Sequence, residues 1–341
     1  DDDDDDDGRL FPFVCLPRLW KPDPLISSEI LPLLKEWVMK KKTFHSDEKK
    51  DMVATTNNIG SEDNNKTTPT ENPVGIVLDL GSGAGRDICY LAEELKTYQQ
   101  QQQQSTLQQQ QQFATKQCSN TARSIHFVGI DNHKGSAKRA LPLWTNRGVD
   151  DVTHSCNIDL NKLHRVRDHF TDVSKLLQSS SSLSSSSVWP VVAVDQSEII
   201  CIFAIRFLNR RLLSYIASSQ SMYEGSTAAS VASATSSISA STKHAMHSPP
   251  PPLVLPPGTL VAISHFCKPK EGANWNFDHP RESSVLDRWE LKSLFGGDDD
   301  DDDAVLENGK DGDKKKWIIV KDDIVPDGDH GRTLIQFIAK R

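Results

Sequence analysis

Val77-Leu78-Asp79-Leu80-Gly81-Ser82-Gly83-Ala84-Gly85-Arg86-Asp87 is the stretch on which the fold turns. Its first half is a short apolar run, the pattern of a central strand buried on both faces. Three glycines at alternate positions follow, more than a tight turn needs. From Asp87 the apolar residues Ile88, Leu91, Ala92 and Leu95 recur at helical spacing. Strand, glycine turn and helix are therefore expected in that order, with the strand over 75–80 and the helix over 87–95.

Working outward, the same alternation repeats. On the N-terminal side, Ser27 or Ser28 is expected to cap a helix carrying Ile30, Leu33, Leu34 and Trp37. On the C-terminal side, strands are expected over 124–131, 152–158, 195–203 and 259–266. Helices are expected over 136–144, with Pro142 ending or kinking it, over 210–217, and over 289–295 with Asp287 as cap. Two last strands, 317–322 and 332–339, flank Pro326-Asp327-Gly328-Asp329 and read as an antiparallel pair. This order predicts an α/β, Rossmann-like doubly wound fold: a mostly parallel seven-stranded sheet, helices on both faces and an antiparallel C-terminal strand pair.

Of the 341 residues, several tracts have too few apolar side chains to repay the entropy of ordering. Residues 1–8 read as a disordered acidic tail. Residues 9–341 read as a single domain with disordered insertions at about 40–72, 97–122, 178–187, 218–250 and 297–314. The formal charge of −8 is dominated by two Asp runs, 1–7 and 298–303; without those 13 acids it would be +5. Total charge therefore indicates neither a nucleic-acid surface nor an acidic one. The six cysteines (15, 89, 118, 156, 201 and 267) form no C-x-x-C, against a disulfide scaffold or zinc site. No apolar run reaches the ~18 residues of a membrane span. A cytoplasmic protein is the resulting expectation.

A glycine turn between a parallel strand and a helix lets a ligand approach the backbone, at the carboxyl ends of the strands. The dinucleotide fingerprint is G-x-G-x-x-G. Here the spacing is G-x-G-x-G, Arg86 stands where the third fingerprint glycine belongs, and Asp79 precedes the first glycine by two residues. A nicotinamide-dependent oxidoreductase is disfavoured on that ground. The run from Asp79 to Gly85 resembles the first motif of class I S-adenosylmethionine-dependent methyltransferases. That resemblance implies S-adenosyl-L-methionine as cofactor, with Gly81, Ser82, Gly83, Gly85 and Arg86 under its methionine portion and Asp79 near its amino group. It further implies that Asp131, with Asn132 after it, holds the ribose hydroxyls, and that Ile158 and Asp159 approach adenine. Phe203 and Ala204, at the end of the fourth strand, would face the cofactor and the substrate cavity.

Gly85-Arg86-Asp87, the segment from Arg206 to Arg210, Gly258, and the segment from Arg18 to Leu25 narrow the resemblance. They are similar to small methyltransferases of the tellurite-resistance type, some of which carry a rhodanese-like domain; none is visible here. Such enzymes transfer a methyl group by in-line attack on the sulfonium, so positioning and desolvation come before acid–base work. His265 and Arg206 are the candidate catalytic residues, the first as a base or hydrogen-bond donor and the second as a clamp for an anionic acceptor. Asn209 and Arg281 are further candidates of the second kind. The acceptor is a small molecule or another species that these motifs do not identify. No N-P-P-[YF] signature follows the fourth strand, no nucleic-acid module is seen, and no residue type fixes the oligomeric state. The competing reading is a catalytically silent cofactor-binding or scaffold protein.

Overall fold

The computed structural model describes residues 18, 20–39, 74–112, 123–178, 197–221, 251–296, 317–328 and 331–341. The expected tail at 1–8 and the insertions at 40–72 and 297–314 lie outside these residues, as do all but the edges of those at 178–187 and 218–250.

Helical structure begins at Pro24. The cap is Asp23, whose Oδ1 accepts the Leu25 N–H at 2.9 Å, and not Ser27 or Ser28. Pro24 suits a first helical position because its missing N–H would have no partner there. A π-helical turn, Ile26–Ile30, leads into α1 (Leu31–Met39). Then come β1 (Val74–Leu80), α2 (Arg86–Gln112), β2 (Ser124–Asp131), α3 (Lys134–Asn146) and β3 (Thr153–Asn157). They are followed by α4 (Leu163–Thr171), α5 (Val173–Gln178), β4 (Ser197–Ile205) and α6 (Arg210–Ala217). The last elements are β5 (Gln220–Ser221), β6 (Val254–Leu255), β7 (Leu260–Phe266), α7 (Glu290–Gly296), β8 (Ile318–Pro326) and β9 (Thr333–Lys340).

Two expectations are corrected. The helix after the glycines does not stop near Leu95 but runs on to Gln112, so 97–112 of the expected insertion at 97–122 is helical, and 113–122 lies outside the described residues. Glutamine is a good helix former, and an established helix extends at little cost where nothing breaks it. Of the two outcomes expected at Pro142, an end is excluded, because α3 carries it internally and continues to Asn146.

The main sheet has seven strands in the order β3-β2-β1-β4-β7-β9-β8. The pairs β1·β2, β2·β3, β1·β4 and β4·β7 are parallel; β9 is antiparallel to both β7 and β8. The strand order reverses at β1, where β2 lies on one side and β4 on the other, so β1 marks the topological switch point. This is a Rossmann-like, doubly wound, mostly parallel sheet with an antiparallel C-terminal strand pair.

All seven residues of β1 are buried, as its apolar run requires. Each face of the sheet has its own core. Ile76, Leu78 and Leu80 pack with Leu212, Leu213 and Ile216 of α6 and Leu291 and Phe295 of α7. Val77 packs on the other face with Ile30 and Leu34, Ile88 and Leu91 of α2, and Trp144 of α3. Residues alternate along a strand, so Asp79 shares the second face with Val77.

Candidate functional site at the carboxyl end of β1

The glycine loop is held mainly by its own backbone. The N–H groups of Gly81 and Ser82 donate to the Ile130 carbonyl at 2.8 and 3.2 Å, and Gly85 N–H donates to the Ser82 carbonyl at 2.8 Å. The Trp144 indole N–H reaches the Gly85 carbonyl at 3.0 Å, tying α3 to the start of α2. All three glycines have positive φ, at 74°, 55° and 66° for Gly81, Gly83 and Gly85. They differ in surroundings. A Cβ on Gly81 would lie 2.4 Å from the Phe207 ring, and one on Gly85 would lie 2.6 Å from Trp144. A Cβ on Gly83 would have only the Gly81 carbonyl oxygen near, at 3.9 Å. Gly81 and Gly85 are thus required by packing, whereas Gly83 borders open space.

Asp131 closes the loop from the next strand. Its Oδ2 accepts the Gly83 N–H at 3.0 Å and its Oδ1 accepts the His133 N–H at 2.7 Å. Asp131 and Asn132 line a crevice of about 450 Å³ together with Gly81, Leu160, Asn161, Phe207, Leu208 and Asn209. Asn209 spans its far wall. The Oδ1 caps α6 by accepting the Leu212 N–H at 3.0 Å, while Nδ2 donates to the Leu160 carbonyl and Asn161 Oδ1, each at 3.3 Å.

Asp79 sits at the bottom of the loop, 4 % exposed. Its carboxylate accepts no hydrogen bond and joins no ion pair among the described residues. Burial, and after it the charges of Asp87 and Asp131, hold its carboxyl well above the usual range. Asp87, in the first turn of α2, is half-buried. Burial raises its carboxyl to about 6, with the Asp23 charge adding to the rise. The Asp23 N–H, Arg206 and Arg86 act in the opposite sense. Asp23 itself bridges elements: its Oδ2 accepts the Ser264 hydroxyl of β7 at 3.0 Å.

Arg206, just past β4, has φ 54°, a left-handed conformation rare outside glycine and common where strain is retained for function. Its N–H donates to the Ser264 carbonyl at 2.7 Å. Its guanidinium donates to Asp327 Oδ1 at 2.7 Å, and Arg332 lies 2.7 Å from Asp327 Oδ2. Both arginines flank the Phe266 ring, at 5.5 and 4.9 Å.

Gly81, Asp131 and Asn132 are brought to the crevice, with Ser82, Gly83 and Gly85 in the loop beside it. Arg86 opens α2 with an exposed side chain. Ile158, Phe203 and Ala204 are core residues, at 2 %, 0 % and 1 % exposure, and do not line the crevice. Asp159 folds onto its own turn, accepting the Asn161 N–H at 3.1 Å and approaching Lys162 at 3.3 Å. Those contacts, the first foremost, lower its carboxyl. Leu160 and Asn161 reach the crevice in place of Ile158 and Asp159; Phe207 to Asn209 reach it in place of Phe203 and Ala204.

His265 is separated from the loop. It is 4 % exposed, its Nε2 lies 2.8 Å from the Ser284 carbonyl, and its Nδ1 has no hydrogen-bond partner. Burial is the largest influence on its pKa, which is lowered. Ser264 bonds Asp23 on one face of β7, so His265, next along the strand, points to the other. Asp23 and Asp87 were not singled out as site residues. The available signal was position: one acid ends the 18–25 segment and the other follows the glycines directly.

A larger hollow, about 760 Å³, lies between α6 and α7. Its basic side chains are paired, Arg210 with Glu290, Lys268 with Glu282 and Asp287, and Arg288 with Asp322 of β8. No helix among the described residues is long and apolar enough to cross a membrane.

No family model matches the chain, and no curated protein matches its sequence. Among solved structures it is similar to the [4+2]-cyclase SpnF, at 10 % identity over 80 % of this chain and 76 % of that one, with a TM-score of 0.38. A SAM-dependent methyltransferase from Aquifex aeolicus shares 11 % identity over 80 % of this chain and 84 % of that one, with a TM-score of 0.34. TehB from Haemophilus influenzae shares 10 % over 78 % and 57 %, also with a TM-score of 0.34. With about one position in ten shared, a functional reading must come from individual side chains.

Proposed function

We propose that this chain is an S-adenosylmethionine-dependent methyltransferase whose cofactor occupies the crevice between the 81–85 loop and residues 207–209. The carrying observation is Asp79, a buried carboxylate at the end of β1, before the glycine loop, that accepts no hydrogen bond among the described residues. A buried, unpaired acid is costly to keep ionised and is relieved by a cation. The ammonium of a methionine moiety is such a cation. Gly83 leaves its side-chain space free for that moiety. Asp131 retains unused lone pairs beyond its two backbone bonds and is placed to accept ribose hydroxyls. The crevice volume lies within the range usual for small-molecule sites.

The bound cofactor would supply an already activated, electrophilic methyl group. The chain's own residues then bind and orient. Asp79 and Asp131 fix the two ends, Phe207 and Leu208 exclude water, and Arg206, with a half-exposed guanidinium, faces the acceptor side. His265 takes no part in this reading. The Arg86-Asp87 pair and the 18–25 segment support a reading toward the tellurite-resistance type within that class.

Calorimetric titration with S-adenosylhomocysteine tests the reading. The native chain should bind it. Gly83→Arg should abolish binding while the protein stays folded, because the new side chain enters the space left by the loop. Asp131→Ala should weaken binding by roughly 1.5–3 kcal/mol through lost charge-assisted hydrogen bonds. Undiminished affinity in a folded Gly83→Arg protein would remove the cofactor from this crevice.

A further inference from the structure

Residues 207–209 form one wall of the crevice and lie between β4 and α6, in neither element. Side chains hold this short piece of chain from both ends. At the β4 end, Arg206 is bonded to Asp327. At the α6 end, Asn209 reaches the Leu160 carbonyl and Asn161 through two bonds of 3.3 Å, longer than the usual range. Arg210, the next residue, makes shorter and charge-assisted contacts. Its Nη1 donates to the Ser283 carbonyl at 2.9 Å and its Nη2 to the Val285 carbonyl at 2.8 Å, while Nε and Nη2 grip the two carboxylate oxygens of Glu290. A planar guanidinium suits such forked contacts, which are roughly twice as strong as neutral ones. The Ser284 carbonyl accepts a bond from His265 Nε2 at 2.8 Å, so three successive carbonyls are taken by side chains of α6 and β7. The segment that offers them is itself fixed. Leu286 N–H donates to the Phe266 carbonyl, and the Leu286 carbonyl accepts the Lys268 N–H, each at 2.9 Å. Arg210 therefore ties the start of α6 to a strut mounted on the end of β7. On the crevice side, the Phe207 ring packs against Gly81, where a Cβ would lie 2.4 Å from it.

We infer that Arg210 is a positioning residue for the cofactor crevice: it holds the 207–209 wall against the glycine loop without lining the crevice itself. This rests on the reading of the crevice as an S-adenosylmethionine site. It goes beyond that reading by giving the site a support outside its own lining, since Arg210 lines the larger hollow between α6 and α7 instead. Truncating Arg210 leaves the first turn of α6 to the two long bonds of Asn209. Phe207 then loses its fixed place against Gly81, and the crevice loses a rigid wall. A ligand must afterwards order that wall as it binds, and affinity falls by the cost of doing so.

Two arms test this on the full chain. In the first, S-adenosylhomocysteine is titrated by calorimetry into variants shown by urea unfolding to be folded. Arg210→Met keeps the length of the side chain and loses its donors, and should weaken binding about tenfold. Arg210→Lys keeps the charge but not the fork, and should stay at least about threefold weaker than the native protein. The control is Arg288→Met. Arg288 lines the same hollow and grips Asp322 at 2.8 Å, so its loss removes a comparable clamp but leaves Arg210 and its acceptors in place. Its affinity should stay within about twofold of the native value. The second arm needs no ligand. With 4-fluorophenylalanine incorporated, the Phe207 resonance is identified by its absence from Phe207→Leu. It should shift or broaden in Arg210→Met and keep its position in Arg288→Met. Native affinity in folded Arg210→Met, full recovery in Arg210→Lys, an equal loss in Arg288→Met or an unmoved Phe207 resonance each overturns the inference. No binding to the native protein overturns the cofactor reading instead, and the fluorine arm then decides on its own whether Arg210 holds the wall.

Discussion

Two sets of ionisable side chains, a buried histidine pair on the sheet and the carboxylates Asp79 at the end of β1 and Asp87 at the start of α2, are resolved in opposite ways. His126 of β2 and His154 of β3 stack at 25° with ring centroids 5.4 Å apart, and His126 Nδ1 meets His154 Nε2 at 3.1 Å. Burial, and then the neighbouring ring, push His154 down to about 3. Burial also lowers His126. Such a pair is content when neutral and satisfies itself. The carboxylates Asp79 and Asp87 are also better neutral, but among the described residues neither joins an ion pair. One pair is complete within the chain; the other joins no ion pair among the described residues. Burial alone does not identify a site, whereas burial with an unmet charge does.

The comparison breaks first under acid. A histidine whose folded pKa lies below its unfolded value adds stability that is present above about 6.5 and lost as pH falls toward 3. Lowering pH from about 7 to about 4 should therefore remove on the order of 2–4 kcal/mol through His154. Urea unfolding across that range checks it, with His154→Gln expected to lose most of the dependence. A native protein as stable at pH 4 as at pH 7 would mean that the pair is not held neutral by burial.

Asp87 carries the opposite sign and a smaller effect. Its raised folded pKa means that stability is fully present below about 4 and lost as pH rises through about 6. Ligand-free Asp87→Asn should therefore be more stable than the native protein at pH 7, by about 1–3 kcal/mol, and no more stable near pH 4. Between those pH values the two pairs act against each other, so the acid loss at His154 should look steeper in an Asp87→Asn background. A destabilised Asp87→Asn protein would reveal Asp87 as a structural acid, satisfied like the histidines.

The sequence disclosed these regions unequally. β2 and α6 are legible to the residue, because the apolar run over 124–131 and the helical spacing over 210–217 are local patterns. Asp79, the glycines and Asp131 are legible for the same reason, lying at strand ends that the pattern locates. The crevice walls are not. Ile158 and Phe203 are apolar and near the right strand ends, yet each is absorbed by the core. The chain reaches the crevice only at Leu160–Asn161 and Phe207–Asn209, where it has left the sheet and its path depends on tertiary contacts such as Asn209 with Leu160. Asp23 is hidden likewise. Its partner Ser264 is distant in sequence, and no periodicity joins them.

The smallest effect sharpens the comparison most, because it asks whether Asp23 belongs to the site or to the scaffold. Its carboxylate accepts the Leu25 N–H and the Ser264 hydroxyl, and burial still raises its pKa. Ser264→Ala removes one of those two bonds and leaves the helix cap. If Asp23 mainly shapes the space around Asp87, the stability cost should be that of one hydrogen bond, about 0.5–1.5 kcal/mol, and it should shrink at low pH as Asp23 takes up a proton. If Asp23 is instead the staple that holds the N-terminal segment to the sheet, the loss should reach about 3 kcal/mol or more at every pH. Urea unfolding of Ser264→Ala at pH 7 and pH 4 distinguishes the two outcomes. The smaller, pH-dependent loss would keep Asp23 with the unmet carboxylates, and the larger one would move it to the self-satisfied side with His126 and His154.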